Sequence, residues 1–223
     1  MQPLIIAFQL LTRIPIPVAV DHTPYNQGHS MLFYPLVGAV IGAVLMLFGA
    51  LLETQPAVVQ AALLLSIWVG LTGALHLDGL ADSADGWVGG MGDRKRILEI
   101  MKDPRTGSWA VIGLILLLLA KWQAIQHIPL ELLILPPVMG RWAMVLVVYS
   151  IPYGRKEGMG GFFRDGLEIQ QVVIATSIAF VIAVQLDFAV LMISVFCFTW
   201  LFGKWSASRL GGGITGDVYG ATC

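Results

Sequence analysis

Long apolar runs alternate with short polar breaks and with longer charged, glycine-rich stretches along the 223 positions of this chain. A helix that crosses a membrane needs about 20 mostly apolar residues, because the hydrocarbon core is about 30 Å thick. Six stretches approach that length: 31–52, 57–76, 108–126, 130–150, 169–186 and 188–203. Polar breaks at 53–56, 127–129 and Asp187 fold them into three hairpins. The pattern predicts an all-α fold, a polytopic transmembrane helical bundle of about six spans in one integral membrane domain, 1–223. Its polar loops fall at 77–107, 151–168 and 204–223. The opening run 4–12 is too short to span and has no basic flank before it, so it reads as an N-terminal interfacial helix and not as a signal peptide.

The six spans sort the charges into two sides. Arg13, Arg94, Lys95, Arg96, Lys102, Arg105, Arg155, Lys156, Arg164, Lys204 and Arg209 gather on one, whereas the short turns opposite carry Glu53, Glu131 and Asp187 and no cation. By the positive-inside rule both termini and both long loops face the cytoplasm, which predicts a multi-pass protein of the cell membrane with its chemistry on the cytoplasmic side. Two cations remain within spans. Lys121 lies near an outer end and is expected to snorkel to the interface, whereas Arg141 lies deeper, and an intramembrane Arg marks function by default.

Composition agrees with the pattern. The chain is 57% hydrophobic and 12% charged, where soluble domains carry about 25% charged residues. A net charge of −1 leaves no basic surface for nucleic acid. Cys197 and Cys223 are the only cysteines, too few for a disulfide framework. The spacing Gly38-x3-Gly42, with Ala39-x3-Ala43 beside it, favours close helix packing, either inside the bundle or between copies in a homo-oligomer.

The second span runs into His76-Leu-Asp78-Gly-Leu-Ala-Asp82-Ser-Ala-Asp85 with no evident break. If that helix continues, Asp78, Asp82 and Asp85 stand at i, i+4 and i+7, within about 60° of one another at 3.6 residues per turn. Three carboxylates on one face repel, and a helix C-terminus favours cations. A hard cation would offset the repulsion, and Mg²⁺ takes one or two carboxylates, waters and substrate phosphates. The blander reading is a solvated acidic helix end. Arg94, Lys95 and Arg96 suit a helix lying on lipid headgroups. Asp103 and Arg105 flank a proline at the mouth of the third span, where an Arg could hold a phosphate. The loop around Arg155 mixes glycines with cations, in the manner of an anion site or a flexible connector. Gly212, Gly213 and Gly216 precede Asp217 in a glycine-dense tail whose amides could cradle phosphate, although no Gly-Lys-Ser/Thr of a Walker loop follows. The four histidines do not repeat at transition-metal spacing.

Taken together these residues resemble the cobalamin synthase family, adenosylcobinamide-GDP ribazoletransferase. The resemblance rests on Phe8-Gln-Leu-Leu-Thr-Arg13-Ile-Pro15-Ile-Pro17, on 76–86, on Asp93-Arg94 with 97–103, and on 212–217 with Gly220-Ala221, in order along the whole chain. It implies transfer of the activated corrinoid from adenosylcobinamide-GDP to α-ribazole or its phosphate, with release of GMP. The implied roles are Asp78, Asp82 and Asp85 as ligands of Mg²⁺, Asp85 or Asp217 as base with Asp82 among the catalytic groups, and Arg105, Arg141 and Arg155 as phosphate clamps. His76, Asp103 and the tail glycines Gly212, Gly213 and Gly216 would contact substrate. The family continues beyond this Gly-Ala with another hydrophobic helix, so the working protein is expected to extend past Cys223. The nearest rival is a CDP-alcohol phosphotransferase of lipid synthesis, whose carboxylates are spaced more widely. A transporter would place its charges at the bilayer midplane.

Overall fold

The computed structural model describes residues 1–155 and 158–223. Lys156 and Glu157, which the sequence places in the loop around Arg155, lie outside the described residues. Among the described residues the only strand-like feature is one isolated bridge between Tyr153 and Ile214, as the apolar periodicity requires of an all-α protein.

Helix α1 (Gln2–Leu11) buries Ile6, Ala7 and Leu11 and packs on α2 (Pro24–Ser30) and α3 (Tyr34–Leu51). Thr23 caps α2, accepting a hydrogen bond from the Asn26 N–H at 3.2 Å. A 3₁₀ turn joins α2 to α3, so the first span is a 28-residue helical run, Pro24–Leu51. Then follow α4 (Ala57–Thr72), α5 (Leu75–Gly89), α6 (Arg94–Ile100) and α7 (Ser108–Ile125). The chain ends with α8 (Leu135–Ser150), α9 (Met159–Gly166), α10 (Ile169–Gln185), α11 (Ala189–Arg209) and the short α12 (Gly216–Thr222). Four runs are by themselves long and apolar enough to cross a membrane, Pro24–Leu51, Ser108–Ile125, Leu130–Ser150 and Ala189–Arg209. The number rises to six when each bent pair, α4 with α5 and α9 with α10, is taken as one span.

The second span does not run on into the aspartates. Gly73 and Ala74 both take left-handed φ, +62° and +59°, and turn α5 by 88° from α4. Glycine adopts that conformation freely and commonly ends helices. The acidic face therefore stays helical while leaving the direction of the span. A similar bend of 92° separates α9 from α10.

Close packing centres on α3 and α8. A Cβ on Gly38 would stand 2.5 Å from the Pro137 carbonyl oxygen, Gly42 meets Ile134, and Gly49 meets the Leu130 side chain. The small-residue spacing thus serves contacts inside the bundle. The turns at 52–56 and 126–134 share one end of the molecule. Leu130 touches Gly49 there, and the Trp122 indole donates 3.1 Å to the Val58 carbonyl. Leu132 and Ile134 share a buried cluster with Ile182, Leu186 and Leu191, which brings the turn at Asp187 to the same end.

Lys121 does not snorkel away from the protein. Its ammonium lies 4.6 Å over the Trp68 ring, beside a small internal space that it shares with Arg141.

Candidate active site

Helix α5 carries His76, Asp78 and Asp82 to the end of the bundle opposite the short turns, and α12 lies across it. Their contact is close because both faces are glycine: a Cβ on Gly79 would stand 2.5 Å from the Asp217 carbonyl oxygen, and one on Gly220 would reach Gly79. Beside α12, the loop after α8 pairs with the glycine tail. The Gly154 N–H donates to the Ile214 carbonyl (2.8 Å) and the Ile214 N–H to the Pro152 carbonyl (2.9 Å). Gly213 fits there only without a side chain, its Cβ position being 2.8 Å from the Gly154 Cα.

This pairing brings Arg155 to Asp217. Arg155 Nη2 donates to Asp217 Oδ2 at 2.8 Å, and the Thr215 hydroxyl donates to the same oxygen at 3.2 Å. Both charged side chains are largely covered, with 18% and 23% of their surface exposed. Next to the pair opens a cavity of about 270 Å³. His76, Asp78, Gly79, Arg155, Gly216 and Asp217 form its polar part, and Leu10, Met31, Tyr34, Met144, Val148 and Phe163 its apolar part. Arg155 Nε and the Tyr219 hydroxyl are buried around it without a hydrogen-bond partner, as are both ring nitrogens of His76, which stands between this cavity and a second space beside Cys223. Buried polar atoms are nearly always satisfied, so several orphans at one cavity mark a place for a polar ligand.

The three aspartates of α5 part company. Asp78 lines the cavity. Asp82 lies one turn further along, where partial burial first, then the charges of Asp78 and Asp217, push its carboxyl up to about 6; Arg155 opposes the shift and Asp85 adds to it. Asp85 points elsewhere. The Gly107 N–H donates to its Oδ2 at 2.6 Å and the Ala110 N–H to its Oδ1 at 2.9 Å. It thereby satisfies the open amides at the start of α7, where the helix dipole favours an anion. Among the described residues no three His, Cys, Asp or Glu side chains are arranged to hold a metal ion. Of the three carboxylates expected to share magnesium, Asp85 has both oxygens engaged by backbone amides, whereas Asp78 lines the cavity.

Other expected contacts fall outside the cavity. Asp103 and Arg105 pair with each other at 2.6 Å on the surface near Asp85, and that pairing holds the Asp103 carboxyl down to about 2. Arg141, 2% exposed, lines a separate internal space with Lys121, His76 and Cys223. Its Nη1 donates to the Pro137 carbonyl at 3.4 Å, while Nε and Nη2 lack partners. Gly212, with φ +101°, is exposed and Gly213 packs on Gly154, so Gly216 is the only one of the three tail glycines at the cavity. Sequence reasoning missed Thr215, Tyr219 and the methionines of the apolar part. Thr215 and Tyr219 flank Asp217 and were legible as neighbours of a carboxylate; nothing in the local pattern marks Met31 or Met144.

Residues 3–223 match the family described as cobalamin-5-phosphate synthase. Two relatives named adenosylcobinamide-GDP ribazoletransferase come from Pseudomonas syringae pv. syringae and Pseudomonas aeruginosa. They are 47% and 42% identical to this chain and cover 99% of it and 93% and 92% of their own lengths. No solved structure matches the chain. With the match running almost end to end and through every segment of the cavity's polar part, the chain belongs to the cobalamin-5-phosphate synthase family.

Proposed function

We propose that this membrane protein is an adenosylcobinamide-GDP ribazoletransferase working at the cytoplasmic face. The observation that carries the reading is the cavity at which Asp78, Asp217 and Arg155 meet unpartnered His76 and Tyr219. A ribose hydroxyl of α-ribazole, or of its phosphate, attacks the phosphorus nearer the corrinoid. A new P–O bond forms, the bond to the GMP oxygen breaks, and the hydroxyl proton passes to a base. Phosphoryl transfers of this kind need positioning and charge neutralisation more than covalent chemistry.

Asp217 is the base in this scheme. Arg155 and Thr215 hold its Oδ2 and orient the carboxylate towards the cavity, leaving Oδ1 for the proton. Arg155 also has an unpartnered Nε for a phosphate oxygen. Asp78 and Asp82 suit Mg²⁺: two oxygen donors one helical turn apart match an ion that binds one or two carboxylates and completes its shell with water and phosphate. When bound, that ion would neutralise charge on the diphosphate. Asp85 lies outside this set.

The test uses membranes containing the protein, supplied with adenosylcobinamide-GDP and α-ribazole. GMP release together with a cobalamin product supports the reading. Release of CMP from a CDP-alcohol and lipid acceptor, without GMP release, would replace it with the lipid phosphotransferase.

A further inference from the structure

We propose that the apolar part of the cavity is the subsite for the base of α-ribazole, and that the corrinoid and guanosine parts of the other substrate stay outside it. The proposal rests on the ribazoletransferase reading and names where one of its substrates lies. Burial separates the cavity into floor and mouth. Met31, Tyr34 and Val148 are each 1% exposed, and Met144 and Phe163 are 6% and 8% exposed. Asp78 is exposed, and Arg155 and Asp217 keep 18% and 23% of their side-chain surface open.

Three occupants compete for the floor, and size and polarity choose between them. Pockets for drug-sized ligands measure about 300–1,000 Å³, so 270 Å³ admits a nucleoside-sized group and excludes a corrin macrocycle. Guanine carries three N–H donors and several acceptors around its edge, more than the unpartnered atoms of His76 and Tyr219 can meet, and a floor of Leu10, Met31, Met144, Val148 and Phe163 would leave the rest unpaired. The dimethylbenzimidazole of ribazole is a flat bicycle with two methyl groups on its outer edge. Methionine side chains adapt to such a shape and make favourable sulfur–aromatic contacts, and Phe163 and Tyr34 add aromatic surface. With the base on the floor, the attached ribose reaches the mouth, where Asp217 and Arg155 wait for the reacting hydroxyl and the phosphate.

The experiment measures steady-state GMP release by the full chain in lipid nanodiscs, varying each substrate in turn. Val148→Phe shortens the floor. It should raise KM for α-ribazole on the order of tenfold, as occupied hydrophobic pockets do, and leave KM for adenosylcobinamide-GDP within about twofold. The riboside of unsubstituted benzimidazole, smaller by two methyls, should recover part of the loss. A rise in KM for the corrinoid substrate instead would overturn the proposal and leave the ribazoletransferase reading intact. Met144→Ala supplies a second measurement should Val148→Phe not fold. The enlarged floor should use a naphthimidazole riboside with kcat/KM about tenfold above wild type; no gain would overturn the proposal. Absence of GMP release by wild type with both substrates would remove the reading beneath it, a result separate from either variant's.

Discussion

Asp85 and Asp78 carry the same side chain seven residues apart on α5, yet their surroundings give them different work. Asp85 accepts two backbone N–H groups at the start of α7, so Asp85→Asn turns one accepting oxygen into a donor facing an amide. Hydrogen bonds to charged groups contribute about 1.5–3 kcal/mol. The variant should lose stability of that order, read as a lower thermal midpoint in detergent. Gly107→Ala should act alike, since its Cβ would press within 2.6 Å of the same carboxylate. Asp78→Asn and Asp82→Asn should leave the midpoint near wild type and cost on the order of 10²–10³ in rate of GMP release. Their losses should be non-additive, because both act on one substrate phosphate group. Full activity of Asp78→Asn with unchanged dependence on Mg²⁺ would place the chemistry at Asp217 and Arg155 alone.

The site depends on two elements that carry little chemistry themselves. The loop at 152–154 and the tail at 213–214 are held together by a pair of backbone hydrogen bonds, and that contact sets Arg155 against Asp217. Gly213→Val would force them apart at Gly154. Misplacing catalytic groups by about 1 Å costs on the order of 10² in rate, so kcat should fall by that factor while the bundle keeps its thermal midpoint. Gly38→Leu tests the opposite case. It sets a side chain against the Pro137 carbonyl at the α3–α8 contact, where overpacking costs about 1–3 kcal/mol. Its effect should appear as lower yield and stability, with KM unchanged in the protein that does fold.

Across the whole molecule, the short turns lie at one end and the charged cavity at the other. The proposed orientation puts the cavity in the cytoplasm. Single cysteines at positions 54 and 128, in a background with Cys197 and Cys223 replaced, should label from outside intact cells, and those at 92 and 160 should not. Labelling at 92 from outside would invert the orientation. The electrostatics are divided as well: Asp78 of α5 and Asp217 of α12 share the cavity with Arg155, whereas Lys121 and Arg141 sit in a separate internal space that, among the described residues, shares His76 with it.

By itself the chain determined its class and marked most of the polar residues that line the candidate cavity, His76, Asp78, Arg155, Gly216 and Asp217. Apolar runs near 20 residues have no stable alternative to helices in lipid, because unpaired backbone groups are too costly there. The spacing of Asp78 and Asp82 on one helical face follows from the α-helix period alone. Tertiary structure decided which of the marked residues meet. The 88° bend at Gly73 and Ala74 needs two left-handed residues in succession, and an alanine in that conformation is held by its surroundings and not by its own preference. Whether a carboxylate faces a cavity or a helix start depends on what packs against it. Asp85 meets residues 22 and 25 positions away, and Asp217 meets Arg155 across 62. Gly79 and Gly220 permit that approach of α5 and α12 because neither backbone carries a side chain at the contact. The cavity floor drew Leu10, Met31, Met144 and Phe163 from four separate elements. Each reads locally as one apolar residue among many, and only the packing of the helices that carry them gives them a common surface.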